Sequence, residues 1–295
     1  MGNDDTYSAL WVSYSTLNDF LTCPRAYYLK NIYRYPQSGN KIALMTPALA
    51  LGQAVHEVIR ALSAIPSSNR FQQSPILLLD KQWEKIAGKM GGFHSQKHED
   101  IYKKRGEDMM RRLLNNPGPL AHLTLRLKKE LLSFWLSKEE QIILCGKIDW
   151  LEYIQKHDSV HIIDFKTSRG SEEEGSLQLP IYYLLARAVQ KRNIDGVSYW
   201  YLDRNNSPTP MDLPDEKSAK ETVLSLAKDV KLAKQLNRFI CKHGGCQACR
   251  PYEKIALGGA ECIGTNDYKR DVFILPDDNK DSLVSTDTET DEQLL

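Results

Sequence analysis

The chain has 295 residues, 41% of them hydrophobic and 26% charged, the composition of a globular protein that buries a substantial core. No apolar run is long enough for a membrane span, and the N-terminus lacks a basic flank followed by an apolar core. A membrane or secreted protein is therefore not expected, and a cytoplasmic or nucleoid-associated one is. The net charge of +1 hides an asymmetry: residues 276–295 hold seven acids against Lys280, a net of −6, which leaves +7 on the body. That stretch is rich in Ser, Thr and Asp and is expected to be disordered, as a solubilising or partner-binding tail or as a competitor of nucleic acid for the basic body.

In chain order, the first strong pattern follows Pro47. Leu51, Val55, Ile59 and Leu62 recur at helical spacing, which predicts a helix with one buried stripe. His56 lies beside that stripe, either as a packed core histidine or as a ligand. Residues 63–116 carry further helical patterns, Ile76–Leu79 with Trp83 and Ile86, and Met109, Met110, Leu113 and Leu114, divided by a polar break at Gly91–Ser95. They are read as a helical insertion that packs over the face bearing the candidate site residues and helps to form a channel. Basic runs at Lys103–Arg105, Arg111–Arg112 and Arg126, Lys128 and Lys129 offer phosphate contacts, or only a solvated face.

Strands are predicted at 125–136, 141–154, 160–167 and 196–202. The two middle ones carry the most informative residues. Gly146-Lys-Ile-Asp149 is followed, fifteen residues on, by Ile163-Asp164-Phe165-Lys166-Thr167. Side chains at i and i+2 share a face, so Asp164 and Lys166 point one way and Phe165 the other, into an apolar layer. A hairpin turning at 155–159 brings Asp149 close to Asp164. Two acids and a lysine on one rim suit phosphodiester hydrolysis, in which carboxylates hold a hard divalent cation and the lysine orients the nucleophile or balances phosphate charge. The alternative is a hairpin edge with solvated charges. Gln178 and Tyr182, four apart, share a face of the next helix, followed by a Pro-marked loop at 205–214 and a polar helix at 216–237.

Taken together and in this order, Gly52-x-x-x-His56, Gly146-x-x-Asp149, Asp164-x-Lys166-Thr167 and Gln178-x-x-x-Tyr182 resemble the motifs of the RecB-like branch of the PD-(D/E)XK nuclease superfamily. The opening Ser13–Tyr28, with Cys23-Pro24-Arg25, is similar to that branch's first helix. The resemblance covers residues 13–262 and implies an α/β fold: a small mixed central sheet flanked by helices, a restriction-endonuclease-like core. It implies that His56, Asp149 and Asp164 hold Mg²⁺ or Mn²⁺, with the Phe165 carbonyl as a further ligand. Lys166 is then the catalytic lysine, and Gln178 and Tyr182 shape the site or contact DNA. Glu130 stands where relatives often have an acid ahead of the hairpin, as a supporting residue.

Six cysteines occur, at 23, 145, 241, 246, 249 and 262, and disulfides are not expected without a secretory signal. Cys145 falls in an apolar strand. Cys246-Gln-Ala-Cys249 with Cys262 has the spacing of thiolate ligands, and two residues compete for the fourth place. Cys241, near His243, would complete a local zinc knuckle; Cys23 would clamp the first helix to the C-terminal loop. The resemblance favours the clamp, because a subset of RecB-like nucleases, the AddB-type and CRISPR adaptation nucleases, holds a 4Fe-4S cluster on one N-terminal and three C-terminal cysteines. Cys23, Cys246, Cys249 and Cys262 match that plan, although the gap before Cys262 is long.

The expected organisation is a nuclease domain over 1–270, containing the insertion at 63–116 and the cysteine-bearing loop at 241–262, then the acidic tail at 276–295. The expected activity is metal-dependent hydrolysis of DNA, on single strands or duplex ends in repair or recombination. No G-x-x-x-x-G-K-[ST] run is present, so any unwinding would come from a helicase subunit. Two other readings are a nuclease-like binding module of a helicase–nuclease complex and a zinc-dependent interaction protein. A missing acid or lysine would mark the first of these, and neither is missing.

Overall fold

The computed structural model describes residues 8–127 and 129–277. The acidic tail from residue 278 onward, and Lys128 in the third basic run, lie outside the described residues. The chain opens with β1 (Leu10–Val12), α1 (Tyr14–Thr22), α2 (Pro24–Asn31), β2 (Lys41–Leu44) and α3 (Pro47–Ser63). Two helices follow, α4 (Pro75–Trp83) and α5 (Gln96–Asn115), then four strands: β3 (Leu132–Ser137), β4 (Ile142–Gly146), β5 (Trp150–Ile154) and β6 (Ser159–Lys166). The remainder is α6 (Gln178–Val189), β7 (Asn193–Tyr201), β8 (Thr209–Met211), α7 (Glu216–Gln235), α8 (Arg250–Ala256), β9 (Glu261–Thr265) and β10 (Arg270–Ile274). This is the mixed α/β architecture of small sheets flanked by helices that the motifs imply.

The hairpin forms as its alternating pattern demands. β5 and β6 pair antiparallel with Trp150 opposite Ile163, and the chain turns through Gln155–His157 into Asp158, at φ 46°. β6 then pairs parallel with β7 after the α6 crossover, and β8 closes the edge, giving the order β5-β6-β7-β8. The expected long strand at 141–154 is broken. β4 belongs instead to a β1-β4-β3 sheet, and the link Lys147-Ile148-Asp149 carries the chain from one sheet to the other. The break leaves Asp149 outside both ladders, immediately before β5. The expected strand at 125–136 is likewise shorter, with Leu125 and Tyr153 donating to Leu151 and Leu123 carbonyls in a separate bridge, both at 2.8 Å.

Two apolar layers enclose the β5–β8 sheet. On the Asp164 and Lys166 face, Ile162, Val160, Leu151 and Tyr199 pack with Leu184 and Leu185 of α6 and Val223 and Val230 of α7. On the Phe165 face, Trp150, Ile163 and Trp200 pack with α3, α4 and α5. The segment 63–116 holds α4 and α5, and these pack on the Phe165 face rather than over the acids and lysine. The reason is strand alternation, which sends the apolar Phe165 to that side.

α3 starts where Pro47 is pre-set for a first helical turn and the Thr46 hydroxyl accepts from Leu49 N at 3.3 Å. Leu51, Val55, Ile59 and Leu62 are all buried, as their spacing predicts. Arg70 locks the end of this helix to the rest of the layer. Its fully buried guanidinium donates to the carbonyls of Leu62 (3.0 Å), His122 (2.8 Å), Ile65 (3.2 Å) and Leu120, and lies 4.8 Å from the Trp150 ring. Arg70→Met keeps the stem's volume but strands these carbonyls, so urea unfolding should show a loss of about 2–4 kcal/mol. An unchanged midpoint would mean that water replaces the guanidinium freely.

A third sheet, β2-β10-β9, joins the two ends of the chain, with β2 parallel to β10 from Lys41 opposite Arg270 to Leu44 opposite Phe273. Nearby, the buried Lys30–Asp19 ion pair (2.9 Å) bridges α2 and α1, and Lys30 lies 5.0 Å from the Tyr252 ring of α8.

Candidate functional site

Continuing the β5–β6 register one pair past Trp150 and Ile163 sets Asp149 opposite Asp164, where the hairpin opens. Asp149 is fixed from two sides. Its Oδ1 lies 3.3 Å from His56 Nδ1 on α3, and its Oδ2 accepts from the Phe165 backbone N at 3.1 Å. Burial opposes ionisation of Asp149, but the His56 charge and hydrogen bond, then the Phe165 amide and Lys166, outweigh it and hold its carboxyl below the usual range. Burial also works against a charged His56, and Asp149 overcomes it, so the imidazole is held above its usual range.

Asp164 is the reverse case. Burial, reinforced by the neighbouring Asp149 against the pull of Lys166, pushes its carboxyl up to about 7. Its Oδ1 accepts from Gln178 Nε2 at 2.9 Å. Its Oδ2 is buried without a hydrogen-bond partner, and Lys166 Nζ stands 3.2 Å away. Gln178 bridges the two, since its Oε1 also accepts from Lys166, and its Nε2 lies 3.4 Å from Tyr182 OH. The i to i+4 spacing of Gln178 and Tyr182 on α6 places both side chains beside the acid and the lysine.

Of the two motif glycines, Gly146 serves a close approach, whereas Gly52 has room for a Cβ in ordinary contact. A Cβ on Gly146 would come within 2.9 Å of Leu185 where α6 crosses β4, and one on Gly52 within 3.5 Å of Thr167 at the end of β6. Glu130 stays outside this constellation, exposed and paired with Lys147 at 2.9 Å. Sequence reasoning missed Glu172 and Tyr14. Glu172 Oε2 lies 2.8 Å from Lys166 Nζ, and Tyr14 OH donates to Glu172 Oε1 at 2.9 Å. Within Glu172-Glu173-Glu174 nothing distinguishes the first acid from its solvated neighbours.

A buried carboxylate oxygen with no hydrogen bond and a single ion-pair neighbour, Lys166, beside a second ionised carboxylate and an imidazole, suits a hard divalent cation. The basic runs are less available than their charge suggests. Arg111 is paired with Glu107 and Asp108, at 2.9 and 2.7 Å, and Lys103 with Asp80 at 3.1 Å.

The cysteines form a second centre. Cys23, Cys241, Cys246 and Cys249 bring their sulfurs within 4.8 Å of one another. Cys23 ends α1 and precedes α2; Cys249 precedes α8, and its sulfur accepts from the Cys246 backbone N at 3.1 Å. The Cys23 thiol is pushed up to about 12 by burial, and that of Cys241 down to about 7 by the His243 backbone amide. The expected set is corrected at one place: Cys241, not Cys262, stands with the other three. Cys262 is exposed on β9, a strand committed to pairing with β10, and its sulfur lies 3.7 Å from the Gly264 carbonyl. Both competing fourth residues, Cys23 and Cys241, therefore enter the group. Cys145 is half-buried in β4, its thiol raised to about 11 by burial.

No curated protein matches the sequence. Among solved structures, the chain is similar to a "Putative exonuclease" from Eubacterium rectale, with a TM-score of 0.51 at 12% identity over 85% of this chain and 92% of that one. At that identity the likeness concerns the fold. The family model described as PD-(D/E)XK nuclease superfamily matches residues 11–255, from β1 through α8 and across every element that supplies the site. The chain belongs to the PD-(D/E)XK nuclease superfamily.

Proposed function

We propose that this protein is a deoxyribonuclease that hydrolyses phosphodiester bonds with Mg²⁺ or Mn²⁺, on single strands or duplex ends in repair or recombination. The observation that carries this reading is Asp164 Oδ2, buried without a hydrogen bond, 3.2 Å from Lys166 Nζ and beside the second acid, Asp149. His56, Asp149, Asp164 and the Phe165 carbonyl would hold the cation. When bound, it would polarise the scissile phosphate and activate water. Lys166 then orients water or phosphate through its ammonium group, while Gln178 and Tyr182 keep Asp164 from turning away. The water oxygen forms a bond to phosphorus, one ester P–O bond breaks, and the departing oxygen takes a proton.

The test is an end-labelled panel of single- and double-stranded DNA and matching RNA with Mg²⁺, Mn²⁺ or chelator. Cleavage of DNA that chelator abolishes is expected; metal-independent cleavage, or RNA cleaved in preference, would overturn the reading. A helicase subunit would supply any unwinding, and co-purification of such a partner would support that association. Because Arg111 is already paired with two acids, Arg111→Ala should change the slope of log affinity against log salt by well under the about one unit of a phosphate contact.

The four-thiol centre is proposed to hold a metal that ties α1 and α2 to the C-terminal segment. The resemblance implies a 4Fe-4S cluster there. The sulfur spacing also admits a second occupant: a tetrahedral zinc with bonds of about 2.3 Å has edges of about 3.8 Å, against 3.7 Å between Cys246 and Cys249 and a spread within 4.8 Å across the group. Metal analysis of anaerobically purified protein separates four irons and a brown colour from one zinc and none.

A further inference from the structure

We propose that Glu172 is a positioning residue that keeps Lys166 in place once a cation occupies Asp164, an inference that rests on the nuclease reading of Lys166. The segment between β6 and α6 is folded back toward the lysine by groups from other elements. Arg204 donates to the Arg169 carbonyl at 2.6 Å and to Ser171 Oγ at 2.8 Å. Arg105 reaches the Thr167 carbonyl at 3.3 Å, and the Glu172 backbone N donates to Tyr201 OH at 2.9 Å. So held, the Glu172 side chain has both oxygens engaged. Oε1 accepts from Tyr14 OH and Ser176 Oγ, each at 2.9 Å, and Oε2 lies 2.8 Å from Lys166 Nζ.

The geometry at Lys166 gives this arrangement a purpose. Its ammonium stands between two carboxylates, and the Asp164 oxygen it faces is the one without a hydrogen bond. A divalent cation taking that oxygen would weaken the pull of Asp164 and repel the ammonium, while the lysine stem can rotate about four bonds. Apart from Glu172, only the neutral Gln178 Oε1 and the face of the Tyr199 ring, 5.1 Å from Nζ, would then oppose the displacement. Glu172 supplies the opposing charge 2.8 Å from Nζ, and its carboxyl is held low because Lys166, with the Tyr14 and Ser176 hydroxyls, outweighs the effect of its burial. The lysine therefore keeps its geometry when the metal arrives.

Glu172→Gln removes the charge, keeps the shape and still accepts from Tyr14 and Ser176. In Mg²⁺, brief acetic anhydride labelling read by mass spectrometry should modify Lys166 several-fold faster in Glu172→Gln than in the wild type. Lys30, held by Asp19, should label equally in both and serves as the internal standard. On a DNA substrate, kcat should fall by about 10–100-fold with KM within a factor of two, the pattern of a lost positioning contact rather than lost binding. Equal labelling of Lys166 with unchanged kcat would overturn the inference and leave the nuclease reading intact. A wild-type protein inactive on every nucleic acid would sink the nuclease reading, yet the labelling difference would still decide whether Glu172 holds the lysine. Should Glu172→Gln fail to fold, Tyr14→Phe removes one support of Glu172 and should move both readouts in the same direction by a smaller factor; no movement would count against the proposal.

Discussion

Hydrolysis should fall by about 10³-fold or more when Lys166 is replaced by Ala, and equally when Asp149 is replaced by Asn, with DNA affinity and circular dichroism retained. The two variants fail for different reasons. Asp149→Asn leaves the His56 and Phe165 contacts a partner of the same shape but removes one of the two charges that would hold a cation. Lys166→Ala removes the ammonium, and with it the opposing charge between Asp164 and Glu172. The fold should survive that loss at neutral pH. The Asp164 carboxyl already lies at about 7, and without the lysine it moves higher and takes a proton. Raising the pH should then selectively destabilise Lys166→Ala, because Asp164 must again ionise without the ammonium beside it. Wild-type cleavage by either purified variant would reject the site.

The second large effect is expected at the cysteines. Cys241→Ser should empty the metal centre and lower the melting temperature by about 10 °C, taking several kcal/mol lost and about 2–4 °C per kcal/mol for a domain of this size. Cys262→Ser should leave both metal content and melting temperature unchanged, since its sulfur stands outside the group of four. Elemental analysis with thermal melts distinguishes these outcomes. Loss of metal from Cys262→Ser, with retention in Cys241→Ser, would mean that the C-terminal segment adopts a different register.

The hairpin and its acids were legible in the sequence because their information is local. A period of two settles which side chains share a face of β6, and one turn settles that Asp149 meets Asp164. His56 was legible only through its place beside a helical stripe, and the resemblance gave it a role. The cysteine set was half legible. Spacing identifies candidates, but whether Cys241 or Cys262 joins depends on β9 pairing with β10, a contact invisible in the intervening residues. Glu172 and Tyr14 meet across 158 residues of chain, with no periodicity to announce either. The side taken by the helical insertion was misread for a related reason: the apolar faces of α4 and α5 state that they pack, not which face of the sheet receives them.

The pairing of β2 with β10, and of Cys23 with the cysteines at 241–249, has a consequence for synthesis. The earliest helices of the chain complete their packing only with its latest strands. At about 5–20 residues per second, α1 and α2 leave the ribosome roughly ten to fifty seconds before β10 exists. During that interval Ala26, Leu29 and Ile42, all buried in the finished molecule against Tyr252, Ile255 and Phe273, have no native cover. Until β10 emerges, this part of the chain depends on protection from aggregation. A truncation that removes β10 should expose the beginning of the chain to protease before it exposes the hairpin that bears the acids.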